Sequence, residues 1–152
     1  MSTPIPLKGV SHVSINVSDM ERSVAFYRDV LGWDQLFDDH MAGESFEAIT
    51  GVPGAAGQAC GGRIGDLRVE LMCFNYTPIE SPAPGLGLRV LSLEVPDAAE
   101  AHLQLSARGA AVSGPPVELH GTRMFFVFDP DRQGIELVEY IPGGPAWGGA
   151  YR

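Results

Sequence analysis

The stretch HVSINVSD at residues 12–19 returns 78 positions later as VLSLEVPD at residues 90–97, and RVELMCF at 68–74 returns 66 positions later as GIELVEY at 134–140. If the two halves are related by a pseudo-twofold, His12, Glu70, Val90 and Glu136 are the four corresponding positions. Three of these side chains ligate metals well, whereas valine offers no lone pair at all. The repeat therefore fixes the organisation of the chain and marks one position where the halves differ chemically.

Working outward from the first copy, residues 10–17 alternate as a strand with His12, Ser14 and Asn16 on one polar face. Ser18 and Asp19 supply an N-cap, residues 20–31 carry apolar side chains at helical spacing, and Gly32 ends the helix. Strands are expected at residues 33–38, 45–50, 58–63 and 67–74, with turns at 51–57 and at Gly65-Asp66. Counting one of these as a short extension gives βαβββ.

The second copy repeats the plan. A strand is expected at 88–95, then the Asp97 cap, a helix over 98–108 ended by Gly109, and strands near 111–113, 123–128 and 134–140, with Asp129-Pro130-Asp131 turning between the last two. Pro78, Pro82 and Pro84, with Gly85 and Gly87, read as a stiff linker, and the Pro- and Gly-rich end reads as a surface tail on which Trp147 or Tyr151 could act as an anchor. The expected organisation is a first module at 5–76, a linker at 77–87, a second module at 88–141 and a tail at 142–152.

Composition narrows the function classes. With 45% apolar and 19% charged residues the chain can build a core. Its ten Lys and Arg are scattered against nineteen Asp and Glu, and the net charge of −9 argues against a phosphate-backbone partner, so no nucleic acid is expected. No apolar run has the length of a signal peptide or a membrane span, so neither a membrane partner nor export is expected, and a cytoplasmic protein is. Cys60 and Cys73 lack metal spacing and are expected to be free thiols.

A duplicated βαβββ plan, carried by HVSINVSDMERSVAFYRDVLGW, RVELMCF, VLSLEVPD and FVFDPDRQGIELVEY, resembles the vicinal oxygen chelate superfamily. That is the family of glyoxalase I, methylmalonyl-CoA epimerase, extradiol dioxygenases, and bleomycin and fosfomycin resistance proteins. The resemblance implies an α+β fold, two tandem βαβββ modules forming an open, cupped, barrel-like sheet around a divalent metal, and a homodimer. It also implies that His12, Glu70 and Glu136 are metal ligands. The fourth ligand position, usually histidine in the glyoxalase and epimerase branches, falls on Val90. One histidine with two carboxylates departs from the two-histidine, one-carboxylate triad of an extradiol dioxygenase.

One imidazole nitrogen and two carboxylates suit Mn²⁺, Mg²⁺, Fe²⁺, Co²⁺ or Ni²⁺, with Zn²⁺ also compatible. Glu136 or Glu70 is the candidate base for removing a proton next to a carbonyl, and Glu47, on an expected strand bordering the cavity, is an outside candidate. An ordinary solvated carboxylate remains the alternative for Glu47, and an ion pair with Arg68 or Arg123 the alternative for a buried Glu136. The candidate small-molecule pocket comprises Arg68, Met72, Phe74, Val90, Ser92 and Tyr140, with Phe46, Met124 and Phe126 as further walls. Arg68 could meet a substrate carboxylate or pair internally. His40 and His120 are expected in loops and His102 exposed on the second helix. No basic cluster is visible for the acidic groups of glutathione or coenzyme A. The activity implied is a metal-dependent lyase or isomerase on a small, moderately apolar, oxygenated metabolite. The alternative is a non-catalytic binding or resistance protein of the same fold that has lost its metal.

Overall fold

A computed structural model describes residues 10–76, 90–119 and 121–143. The chain divides into two compact units between residues 77 and 78. The linker, His120, Trp147 and Tyr151, on which expectations were placed, lie outside the described residues.

In the first unit, β1 (Val13–Asn16) leads into α1 (Met20–Leu31), followed by β2 (Asp34–Ala42), α2 (Glu44–Thr50), β3 (Ala56–Ile64) and β4 (Leu67–Phe74). The sheet order is β1-β4-β3-β2, with β1 parallel to β4 and the other pairs antiparallel. The Asp19 carboxylate accepts from the Arg22 amide at 2.9 Å and starts α1. At its other end Gly32, at φ 68, donates to the Arg28 carbonyl and Trp33 to the Tyr27 carbonyl, so a left-handed glycine stops the helix.

Met20, Ser23 and Tyr27 fall at i, i+3 and i+7 and form the buried face of α1. That face packs on β3 and β4 over Cys60, Val69 and Leu71. Trp33, 1% exposed, is locked beneath it by a 3.1 Å bond from its indole N–H to the Val69 carbonyl. The core of this unit therefore occupies one side of the sheet. His12, Ser14, Asn16 and Glu70 belong to the other side, because alternation along β1 and β4 sends them there.

The second unit runs β5 (Leu91–Glu94), α3 (Ala98–Ala107), β6 (Val117–Leu119), β7 (Thr122–Phe128) and β8 (Gly134–Tyr140), in sheet order β5-β8-β7-β6. Asp97 caps α3 through the Glu100 amide at 2.9 Å, and Glu139 of β8 accepts from the Ala98 amide at 3.0 Å, so two of the four free donors at this helix start are satisfied. Ala98, Leu105, Phe125, Val127, Ile135 and Leu137 form its core. The turn expected at Asp129 is built by that buried carboxylate, which accepts from the amides of Asp131 at 2.9 Å and Gln133 at 2.8 Å.

Both units thus carry the βαβββ plan, and the first adds α2. Residues 45–50, expected as a strand, are this helix. The hairpin of β2 and β3 continues in register to Met41–Gly57 and Ala42–Ala56, so the segment beyond Ala42 has no neighbouring strand. It closes on itself between Gly43 and Gly51, both at positive φ. Residues 111–113, also expected as a strand, make only the Val112–Val127 bridge. Gly114, Pro115 and Pro116 interrupt them, and the fourth strand is the short, exposed β6. Among the described residues no helix is long and apolar enough to cross a membrane.

Candidate functional site

The parallel register of β1 on β4 places Ser14 directly beside Glu70, and that of β5 on β8 places Ser92 directly beside Glu136. In each unit the serine hydroxyl donates to the glutamate: Ser14 Oγ to Glu70 Oε1 at 3.2 Å, and Ser92 Oγ to Glu136 Oε2 at 2.6 Å. The sequence separations are 56 and 44 residues, and the longer one contains α2. His12 stands one residue before β1 and Val90 one residue before β5, so the internal correspondence of the halves is structural as well as sequential.

In the first unit His12 Nε2 lies 3.9 Å from Glu70 Oε1, with the two side chains 48% and 23% exposed, and His12 Nδ1 lies 3.0 Å from Ser11 Oγ. Two donors about 2.1 Å from one ion at roughly tetrahedral or octahedral angles are some 3.0–3.4 Å apart. The observed separation is only slightly wider, so a small side-chain rotation would let both donors share a divalent cation. In donor chemistry and spacing this pair fits half of a metal site. In the second unit the equivalent of His12 is the apolar Val90. Among the described residues no group of three or more His, Cys, Asp or Glu is arranged to hold a metal ion.

Both glutamates are half-buried rather than buried, because the polar side of each sheet is partly open. The ion pair considered for Glu136 does not form. Arg123 lies on the opposite face of the β7–β8 pair, where it meets Glu139 at 3.3 Å and Glu118 at 3.6 Å. Arg68, exposed and two residues before Glu70 on the same face, has no ion-pair or hydrogen-bond partner among the described residues.

An aromatic ring stands beside each glutamate, by different routes. In the second unit Phe126 is the direct cross-strand partner of Glu136. In the first unit the partner of Glu70 is Gly61, and Phe37 of β2 folds over it so closely that a Cβ there would lie 2.0 Å from the ring. Further along, Met72 and Phe74 continue the face. Phe74 stacks nearly parallel to Phe46 of α2 at 6.1 Å and contacts Tyr76 at 5.1 Å. Phe46 was anticipated as a wall and Phe37 was not. Phe37 becomes visible only through the β2–β3 register, and its sequence signal is the missing side chain at Gly61.

Several expected positions differ. Glu47 lies on α2, half-buried, and not on a strand bordering the cavity. His40 lies within β2, exposed and opposite Gln58, and not in a loop. His102 is half-buried, with Nε2 3.2 Å from the Ser113 carbonyl and its ring edge-on to Phe125 at 5.1 Å, so it serves packing. Val138 and Tyr140 alternate with Glu136 onto its face, and Val138, like Met72 on the face of Glu70, is largely covered.

A separate cavity of about 370 Å³ lies on the α1 side of the first sheet, lined by Met20, Val24, Arg28, Asp38, Gln58 and Cys60. It is on the face opposite Glu70. Burial, with Asp38 nearby, pushes the Cys60 thiol up to about 11, which suppresses thiolate formation. Both cysteines are free.

The family model described as Glyoxalase/Bleomycin resistance protein/Dioxygenase superfamily matches residues 9–137. A lactoylglutathione lyase of Salmonella typhimurium is 31% identical over 140 residues, covering 90% of this chain and 96% of that protein. The crystal structure of a glyoxalase family protein from Bacillus cereus superposes with a TM-score of 0.76 at 21% identity, covering 93% of this chain and 99% of that one. A mutant of the fosfomycin resistance protein FosX from Listeria monocytogenes, solved with Mn(II) and 1S,2S-dihydroxypropylphosphonic acid, superposes with a TM-score of 0.58 at 16% identity, covering 87% of this chain and 92% of that one.

Proposed function

Because the chain belongs to the glyoxalase/bleomycin resistance protein/dioxygenase superfamily, we propose that it is a divalent-metal-dependent lyase or isomerase that moves a proton next to a carbonyl on a small, moderately apolar, oxygenated metabolite. The observation that carries this reading is the pairing of His12 Nε2 and Glu70 Oε1 at 3.9 Å, with the Ser–Glu contact repeated at Ser92 and Glu136. His12 and Glu70 of the first unit would hold the metal, and Glu136 of the second is a further candidate ligand when it is not acting as base. When bound, the ion supplies Lewis-acid polarisation of a substrate carbonyl or hydroxyl. The similarity to a lactoylglutathione lyase supports lyase chemistry within the family.

The remaining work falls to side chains of this chain. Ser14 donates to the same Oε1 of Glu70 that lies 3.9 Å from His12 Nε2, which fixes that oxygen toward the histidine and leaves Oε2 as a further acceptor. Ser92 holds Oε2 of Glu136 and leaves Oε1 as the free acceptor. With Val90 apolar, no imidazole competes for that oxygen, so Glu136 is the general base: it takes the α-proton and returns it to the neighbouring atom in an isomerisation, or keeps it as a leaving group departs. Phe37 and Phe126 limit water beside the two carboxylates. The protein is read as a cytoplasmic homodimer. The exposed apolar residues Leu36 and Phe37 on edge strand β2 support self-association.

A second reading, favoured by Val90, is a non-catalytic small-molecule binding or resistance protein that uses the same aromatic walls without a metal. Elemental analysis separates the two. One metal equivalent in the wild-type protein, lost in His12→Ala and Glu136→Ala, supports the enzyme, and failure to take up any of the candidate ions on reconstitution rejects it.

A further inference from the structure

The register of β3 on β4 sets Arg63 directly opposite Arg68. Both are exposed, and both fall by alternation on the face that carries Glu70. Neither makes an ion pair or hydrogen bond among the described residues, although Asp34 lies opposite Arg63 on β2 and Asp66 occupies the intervening turn. Like charges directly across a sheet oppose each other. In a chain with nineteen acidic residues and ten basic ones, two neighbouring guanidiniums without an acid partner are therefore an arrangement that folding alone does not favour. An anion between them would remove the repulsion.

We propose that Arg63 and Arg68 form the anion subsite of this face and bind a carboxylate or phosphoryl group of the same small molecule whose vicinal oxygens meet His12 and Glu70. Two guanidinium forks side by side match the planar carboxylate and the tetrahedral phosphoryl group better than a single ammonium would. Arg68 and Glu70 are two residues apart on β4, about 7 Å at the usual strand rise. The anionic group therefore sits a few bonds from the chelating oxygens. Met72, Phe74 and Phe46 continue along the same face on the far side of Glu70, so any apolar remainder of the ligand extends that way. The substrate class is a small oxyacid with vicinal oxygens, its charge at the Arg63–Arg68 end and its apolar part toward Phe74. The placement of the vicinal oxygens rests on the metal-site reading above, whereas the arginine pair does not.

The test is an NMR titration of the ¹⁵N-labelled full chain with sodium acetate and, separately, inorganic phosphate at ionic strength held constant with sodium chloride. Saturable shifts of the Arg63 and Arg68 side-chain Nε–H signals are expected, with affinity at least about tenfold weaker in Arg63→Gln or Arg68→Gln, the loss expected for one charge-assisted contact. Competition between the two anions assigns a carboxylate or a phosphoryl preference. Linear shifts shared with Arg28 and Arg123, or unchanged affinity in both folded variants, overturn the proposal. Addition of Mn²⁺ to the same samples separates the two readings. Broadening at His12 without anion binding removes the anion subsite alone, and anion binding without broadening leaves the subsite standing and removes the metal reading.

Discussion

Gly61 and Gly62 are adjacent on β3, and alanine at each should lower stability by very different amounts. A Cβ on Gly62 would lie 2.4 Å from Trp33 Cε2 and 2.5 Å from the Asp34 carbonyl oxygen. Neither neighbour can yield, since Trp33 is 1% exposed and held to the Val69 carbonyl, and Asp34 begins β2. Overpacking of this kind costs about 3 kcal/mol, reduced by less than about 1 kcal/mol through the backbone entropy that alanine saves over glycine. A Cβ on Gly61 would come closer still, 2.0 Å from Phe37 Cε1, but that ring is 43% exposed and can swing outward. Its lost burial, about 1 kcal/mol for a half-covered phenylalanine, is nearly offset by the same backbone gain. Gly62→Ala should therefore lower the thermal midpoint by roughly 4–10 °C and Gly61→Ala by less than about 3 °C, at some 2–4 °C per kcal/mol for a chain of this size. Thermal unfolding followed by circular dichroism measures both. Equal destabilisation, or a larger loss in Gly61→Ala, would refute the view that rigidity of the neighbour, and not clash distance, sets the cost.

Val90→His should place an imidazole beside Glu136 as His12 stands beside Glu70 and raise affinity for Ni²⁺ or Mn²⁺ more than about tenfold, since even outer-sphere partners change affinity by 10–100-fold; unchanged affinity by calorimetry would sink the correspondence. Asp19→Ala and Asp97→Ala should each cost about 1 kcal/mol in urea unfolding through loss of a helix cap. Cys60 should resist iodoacetamide at pH 8 while the half-buried Cys73 reacts, as mass spectrometry of labelled peptides would reveal. Because the Cys60 thiol is raised from 9.0 to about 11, folding favours its neutral form. That contribution is complete below about pH 9 and is lost as pH rises toward 11. Cys60→Ala should remove this part of the alkaline stability loss.

Where local chemistry was sufficient, the sequence was readable. Met20–Leu31 and Gly134–Tyr140 are placed to the residue, the helix because a cap, an apolar period and a stop residue coincide, the strand because an alternating run lies between the turn at 129–131 and Pro142. Residues 45–50 misled because six residues containing Phe46, Ile49 and Thr50 fit either period, and only the length of the β2–β3 hairpin decides that no strand remains to pair with them. The short β6 carries almost no apolar pattern for the same reason that it is exposed, and pairing with β7 alone makes it a strand.

The sequence by itself determined the duplication, the two capped helices and the correspondence of His12, Glu70, Val90 and Glu136, since each is written in residues close together or in a repeated string. Tertiary structure decided what those residues touch. Sheet register, which joins positions 44 or 56 residues apart, set a serine on each glutamate, folded Phe37 over Gly61, removed Arg123 from the face of Glu136 and brought Arg63 against Arg68. Apart from Arg63 and Arg68, which face each other across the Gly65-Asp66 turn, none of these contacts has a local signal, because cross-strand neighbours are chosen by backbone hydrogen bonding along whole strands and not by the side chains that meet.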